Sequence, residues 1–589
     1  MAARSFARVA PVRANVSLLL VVLLATALTA RLAVIQVRDG PSLARKALAQ
    51  HDETVETFAK RGAILDRDGG VLVRSLPSES IYAVPADVTD PHAVAAKLSP
   101  IVHKPVMDLE LALRDGSQFR WLARKVPHEV AQRVRALGIT GIVTAPEETG
   151  LRFVASGRLA STVIGFTGTD ENGLDGLEYS FDALLRGTPG RTRVEADNLG
   201  HAIPFGQTQV IERAVPGKTI VTTLDPYLQF EAERLLRADV KKWHARSGSV
   251  VVMDPNTGEL LAIANVPDFD PAHFASYTPD QWRDRAVEDA YEPGSTFKLI
   301  TAAAALESGK FGPDARFPAR DAIEVGGHVI HNAEDGMMAA GLGGTESIED
   351  IIAYSHNVGA AEMGMATGPA AVYKMIRAFG FGDPTNVGLP GENPGIVLPP
   401  DQWSGSSLAT ISFGHGISTT PLALARAYCA IANGGILLRP RILDAIEDAT
   451  GKVVYRYGPE IERRVISEHT AAILRRYLRA VVVRGTGRET AKVPGYTTAG
   501  KTGTAQVVEN GRYLSGAYVA SFVGMIPAQQ PRYVILVKVE RPQGSIYGSD
   551  VAAPVFAALA RAAMLHAGYM PAFAPARLVR HARGSKGKR

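Results

Sequence analysis

Three short groups of residues in this chain carry side chains able to run a covalent acyl transfer. In EPGSTFK, Ser295 and Lys298 stand three residues apart, which on a helix places them on one face. Pro293 and Gly294 mark the start of that helix, and Ser308-Gly309 its end. A serine hydroxyl is a weak nucleophile until a neighbour removes its proton. A lysine can be that neighbour only where burial and a second cation depress its pKa, and the helix dipole favours the negative charge that develops. Ser-x-x-Lys alone is expected about once in a chain of this length, so it needs company. Downstream, IIAYSHNVGAAEMG places Ser355-His356-Asn357 between two helical stretches, and AGKTGTAQ holds Lys501-Thr502-Gly503 followed by Thr504. Lys501 is then the second cation.

Lys501 also belongs to a competing pattern. GYTTAGKT, residues 495–502, fits the phosphate-loop form G-x-x-x-x-G-K-[ST]. Such a loop must leave a buried strand and open a helix whose N-terminus holds the phosphates. The preceding RGTGRETAKVP is polar and broken by proline, and Gly503, the valines and the turn Glu509-Asn510-Gly511 leave no room for a helix afterwards. The acyl-transfer reading therefore prevails. His328 and His331 in GHVIHN are three apart on a strand, where they face opposite sides, so no metal pair is expected there. Cys429 is the only cysteine; in ARAYCAIANGG it sits on the buried face of a helix that stops at Asn433-Gly434-Gly435.

The elements that must position these groups can be outlined from composition and periodicity. With 589 residues the chain needs at least two folded units, and 46% hydrophobic with 21% charged residues describes a globular protein. The net charge of +5 arises at the ends: Arg4, Arg8 and Arg13 at one, and Arg577, Arg580, Arg583, Lys586, Lys588 and Arg589 at the other, leaving the chain between them net acidic. No nucleic-acid surface is indicated, and the basic tail reads as a solvated end. Residues 14–30 hold no charge, and beyond Arg31 the apolar run continues to Val37. A cleaved signal peptide ending near Ala25-Thr26-Ala27 is one reading. Residues 14–37, however, meet the length of about 20 residues that a membrane span needs, and a lone arginine near the outer end can reach the headgroups. The basic N-terminal side places residues 1–13 in the cytoplasm and the remainder outside. KRGAILDRDGGVL reads as a hairpin, and ENGLDGLEYSFDALLRGTPG as a turn, one helix and a stop. TIVTTLDPYLQFEAERLL is a strand leading into an amphipathic helix, and SGSVVVMDPNTGELLAIANV two strands joined at residues 254–258. Alanine-rich helices follow, and residues 496–539 return to strands. The expected fold class is α/β: an N-terminal transmembrane helix, a mixed α+β domain, and a domain whose mostly antiparallel sheet is sandwiched by helices.

Ser-x-x-Lys, Ser-x-Asn and Lys-Thr-Gly, in this order, form the signature set of the penicillin-recognising serine acyltransferases. On these motifs, and on RGAILDRDG, GFTGTDENGLDGLE, LDPYLQ, VVMDPNTGELLA, FGFG, LPGE, SFGHGISTTPLALARAYCAIANGG and SFVGMIPA, the chain resembles the class B penicillin-binding proteins. These are peptidoglycan D,D-transpeptidases, and the Ser-x-Asn form resembles the FtsI-like division type. The resemblance implies a cytoplasmic tail (1–13), a transmembrane helix (14–37), a non-catalytic pedestal or dimerisation domain (38–215), a transpeptidase domain (216–570) and a basic tail (571–589). It implies Ser295 as nucleophile, Lys298 as base, Ser355 as proton relay, Lys501 as the charge of the network, and Asn357 on the donor amide. Backbone N–H groups of Ser295 and Thr504 would form the oxyanion hole, with Thr502, Gly503 and Thr504 along the substrate's carboxylate. The implied reaction needs no metal or cofactor. Implied partners are peptidoglycan stem peptides, β-lactam antibiotics, a polytopic FtsW-like glycan polymerase of the SEDS family and other division proteins. The implied place is the bacterial inner membrane at the division site, crossed once, with the catalytic domain outside. LRFVASG lacks the tyrosine and proline usual after that arginine, and His415 stands in SFGHG where tyrosine is common. An elongation-type transpeptidase, a D,D-carboxypeptidase or β-lactamase-like hydrolase, and a non-catalytic sensor are the alternatives.

Overall fold

The computed structural model describes residues 6–43, 46, 52–195, 208–333, 344–509 and 511–572; Arg4 and the basic residues from Arg577 onward lie outside them. The chain divides into two compact units, one of residues 1–59 with 187–216 and one of 60–186 with 217–589.

The first unit contains helix α1, Phe6–Ala33, prolonged by a π-helical turn over Val34–Arg38. The helix begins before the span expected at residue 14. From Val12 to Arg38 it is long and apolar enough to cross a membrane, and none of its apolar window is buried. A helix apolar all round with no protein face to cover it suits a bilayer anchor. The hydroxyls of Thr26 and Thr29 donate to the carbonyls of Val22 and Ala25 one turn back, so neither needs water. The same unit holds a three-stranded antiparallel sheet of Asp52–Thr57, Gly190–Glu195 and Thr208–Glu212.

The second unit is built on a five-stranded sheet: β1 (Ser247–Met253), β2 (Leu260–Val266), β3 (Ala499–Glu509), β4 (Arg512–Ile526) and β5 (Tyr533–Glu540), in the order β2-β1-β5-β4-β3. Every neighbouring pair is antiparallel. Side chains alternate between faces along a strand, and here both faces are dry. Val250, Val252 and Val537 pack with Leu228 and Leu236 of α2 (Pro226–Lys242) and with Phe556 of the C-terminal helix Ala552–His566. Val251, Met253 and Leu536 belong to the larger core on the other side, where α3 (Lys298–Glu307) packs against α4 (Ile348–Tyr354) and α5 (Asn357–Thr367). Helix α6 (Pro421–Ala432) lies on β1 and β5 with all its residues buried.

A seven-stranded sheet lies in the same unit. Its order runs Val453–Arg456, Leu443–Glu447, Thr219–Thr222, Ile64–Leu65, Val71–Ala83, Arg120–Val126, with Ile142–Val154 also paired to Val71–Ala83. Strands from both sides of residue 216 thus share one sheet, through the parallel pairing of Ile64 with Ile220 and Leu65 with Val221. Beside it, buried Glu178 bridges Arg61 at 2.7 Å and Arg152 at 2.7 Å. The single helix expected within residues 171–190 is instead two short turns, Gly176–Ser180 and Asp182–Leu185, broken at Phe181 (φ −111°, ψ 20°). The cause is tertiary: Asp182 turns away to accept hydrogen bonds from Arg61 at 2.6 Å and from the Gly173 N–H at 2.9 Å.

Candidate active site

Ser295 lies in a 3-10 turn, Gly294–Phe297, that runs directly into α3. Gly294 has φ +53°, and a Cβ there would stand 2.8 Å from the carbonyl oxygen of Thr504. Only glycine lets β3 come so close. The turn is pinned from below, where the Tyr428 hydroxyl of α6 donates to the Thr296 carbonyl at 2.8 Å and Thr296 Oγ1 to the Pro293 carbonyl at 2.7 Å. Ser295 itself remains partly exposed.

Lys298 is fully buried. Among the described residues its Nζ donates to the second motif: to the Ser355 carbonyl at 2.5 Å, Ser355 Oγ at 3.3 Å and Asn357 Oδ1 at 2.8 Å. Ser355 ends α4 in the left-handed conformation, φ 64°, a strain of about 1–3 kcal/mol of the kind found at functional sites. Asn357 opens α5, and its Nδ2 donates to the His331 carbonyl at 3.0 Å. Lys501, equally buried, reaches Ser355 Oγ at 2.8 Å from the opposite side. One hydroxyl therefore sits between two ammonium groups. Burial, and then the charge of Lys501, push Lys298 well below the usual lysine range, against a smaller upward pull from Glu346. Burial pushes Lys501 down to about 7. Both lysines are thereby brought toward the neutral form that can accept a proton.

Lys501-Thr502-Gly503 lies in mid-strand: β3 pairs Lys501 with Val523, Thr502 with Phe522, Gly503 with Ser521 and Thr504 with Ala520. A phosphate loop is thereby excluded, because the chain continues as strand to Glu509 where a helix would have to begin. At Gly503 a Cβ would meet Ser521 Oγ at 2.3 Å and Thr296 Cγ2 at 3.0 Å, so β3 lies hard against the Ser295 turn. Thr502 Oγ1 pairs with Thr486 Oγ1 at 2.8 Å, and Thr504 Oγ1 accepts from the Gly548 N–H at 3.4 Å. At the rim, Glu292 receives the Gly416 N–H at 2.8 Å and the Tyr513 hydroxyl at 3.1 Å. His415 is pushed down to about 4 by burial and by Lys298, which leaves it uncharged at neutral pH. His328 and His331 occupy one short strand and are both exposed, and among the described residues no group of three or more His, Cys, Asp or Glu is placed to hold a metal. Cys429 is buried in α6, its thiol 3.9 Å from Met253 Sδ, with its pKa raised well above the ordinary value by burial.

Known proteins share this fold. Residues 56–222 match the penicillin-binding protein dimerisation domain family and residues 248–561 the penicillin binding protein transpeptidase domain family. The chain is 32% identical to peptidoglycan D,D-transpeptidase FtsI of Escherichia coli over 551 residues, covering 91% of this chain and 89% of that one. It is 36% identical to penicillin-binding protein PbpB of Mycobacterium tuberculosis over 558 residues, covering 89% and 80%. The crystal structure of penicillin binding protein 3 from M. tuberculosis complexed with aztreonam superposes with a TM-score of 0.68 at 32% identity, covering 88% of this chain and 99% of that one.

The chain belongs to the class B penicillin-binding proteins.

As a class B penicillin-binding protein it is a peptidoglycan D,D-transpeptidase, a serine acyl-transferase. Of the residues named from the sequence, hydrogen bonds bring together Lys298, Ser355, Asn357 and Lys501 from three separate segments, and the Ser295 turn packs against the strand that carries Thr502, Gly503 and Thr504. Sequence reasoning missed Thr486, Asn332, whose Oδ1 accepts the Val358 N–H at 3.0 Å, and the buried pair Glu346–His356. None of these carries a spacing signal. Glu346 precedes a capping box, Ser347 with Asp350, and reads as part of an ordinary helix start.

Proposed function

We propose that this protein is the septal, division-type transpeptidase of its cell and works through an acyl-enzyme on Ser295. The observation that carries the reading is the convergence of Lys298 and Lys501 on the Ser355 hydroxyl beside the Ser295 turn. Ser295 Oγ attacks the carbonyl of the penultimate D-Ala of a stem peptide while uncharged Lys298 takes the hydroxyl proton. Backbone N–H groups of Ser295 and Thr504 receive the oxyanion. Collapse breaks the D-Ala-D-Ala bond, and the proton passes through Ser355 to the leaving amine, with Lys501 holding the charge of the network. Asn357 binds the donor amide, and Thr502 and Thr504 the terminal carboxylate. An amine of a neighbouring stem then attacks the ester, forms the cross-link and releases Ser295; a β-lactam acylates the same serine.

The Ser-x-Asn form of the second motif and the likeness to FtsI support the septal reading. In this reading residues 1–13 are cytoplasmic, α1 crosses the membrane once, 38–215 act as pedestal, and 216–570 carry out transfer on the outer side. Fluorescent penicillin should label the purified protein at Ser295, as located by peptide mapping, and Ser295→Ala should fold and stay dark. Label on another serine would overturn the assignment. A penicilloyl adduct that lasts hours separates this enzyme from a hydrolase, and filamentation rather than rounding on depletion separates septal from elongation work.

A further inference from the structure

His356 stands between the two residues that hold Lys298 and is paired with Glu346, and the scheme above uses neither. Glu346 comes from the short strand Thr345–Ser347 and His356 from the turn between α4 and α5. Their side chains are 0% and 2% exposed, and His356 Nδ1 meets Glu346 Oε2 at 2.5 Å. The other carboxylate oxygen is buried without a hydrogen-bond partner among the described residues. It occupies the space beside Gly359, where a Cβ would stand only 2.3 Å from it, so α5 is notched to receive the carboxylate. Burying an acid this deeply costs several kcal/mol unless its charge is used. Removing its partner would also free the turn, because His356 sits between Ser355 and Asn357, the two residues that hold Lys298 Nζ.

The surroundings leave few competitors for that charge. Lys501 from β3 faces Lys298 across Ser355, and uncharged His415 lies at the rim. Glu362 of α5 is near Glu346 and is itself paired with Arg320 at 3.5 Å. The ring of Tyr354 stacks on His356 at 5.8 Å, and Arg484 over that ring is taken up by Glu349 and Asp350.

We propose that Glu346 and His356 are positioning residues for acyl transfer: the pair locks the turn that presents Ser355 and Asn357 to Lys298, and its buried carboxylate offsets the charge that Lys298 gains when it takes the Ser295 proton. The inference rests on Lys298 being the base of the Ser295 reaction. A buried carboxylate raises the proton affinity of a nearby lysine, and Glu346 does so for Lys298, so the test is the pH dependence of the acylation rate, measured with a fluorescent penicillin on the full chain in detergent. Glu346→Gln keeps the size and the acceptor for His356 and removes the charge; the rising limb of the profile should move to lower pH. Glu346→Asp should restore the wild-type midpoint. If Glu346→Gln does not fold, the double replacement Glu346→Leu with His356→Ser, which strands neither partner, carries the same expectation. A midpoint that stays in place in the folded variant, whatever the rate, overturns the inference. Wild-type labelling is the control that keeps the two readings apart: absence of label at Ser295 would remove the underlying scheme, whereas normal label with an unmoved midpoint removes only the role of the pair.

Discussion

Two buried lysines define this site, and each is a stored instability. Lys501 has no solvent exposure and its pKa falls from 10.5 to about 7. The unfolded chain therefore binds one more proton than the folded chain between these two values. Stability consequently rises with pH across that window, and the whole penalty applies below about 7. Lys501→Met should accordingly unfold at a higher temperature than the wild type at pH 6, with the advantage narrowing toward pH 10; calorimetry at both pH values checks this. The same variant should lose about 10²–10³-fold in acylation rate, as when a charge-stabilising group is removed. A variant that is both less stable at pH 6 and normally acylated would contradict both expectations.

At the scale of elements, the site depends on one strand pressed against one turn. At Gly294 and Gly503 β3 and the Ser295 turn approach so closely that neither position has room for a Cβ. Gly503→Ala should displace β3 from the turn, because Thr296 and Ser521 cannot both give way. Penicillin acylation should fall at least tenfold while far-UV circular dichroism stays unchanged; retention of the full rate would mean that β3 adjusts without loss. The strand is also where the phosphate-loop reading fails physically. Lys501 owes its position to pairing with β4 and its proton affinity to burial, not to a helix N-terminus.

At the scale of the molecule, the seven-stranded sheet ties residues 60–186 to residues beyond 217. Arg61→Met should remove about 3–5 kcal/mol, because Glu178 would lose one of its two buried partners. Denaturant unfolding of a soluble fragment from residue 60 onward should still show one transition. Two transitions would mean that the shared sheet does not couple its halves. The anchor carries a separate expectation. Small residues Ala25, Thr26, Ala27, Thr29 and Ala30 permit close helix packing in lipid, which suits the pairing with a membrane glycan polymerase that the family resemblance implies. Exchanging residues 14–37 for an unrelated apolar span should preserve penicillin labelling and abolish co-purification with the polymerase and division. A chimera that divides normally would reduce α1 to a tether.

Local chemistry was legible in the sequence wherever it is carried by short-range spacing. Ser295 and Lys298 share a helix start, Ser355-His356-Asn357 joins two helices, and Lys501-Thr502-Gly503 interrupts a β-branched run. The order of these motifs and the uncharged apolar run near the N-terminus determined the family, the class of fold and the long apolar helix without reference to any contact. Tertiary structure alone decided the rest, because those features arise between residues far apart in the chain. The break at Phe181 exists because Asp182 is drawn to Arg61 across 121 residues. The sheet crosses residue 216 because Ile64 finds Ile220. Glu346 acquires meaning only when α4 turns back and delivers His356 to it. An ion pair's strength depends on burial and distance, and neither quantity exists until the chain has folded.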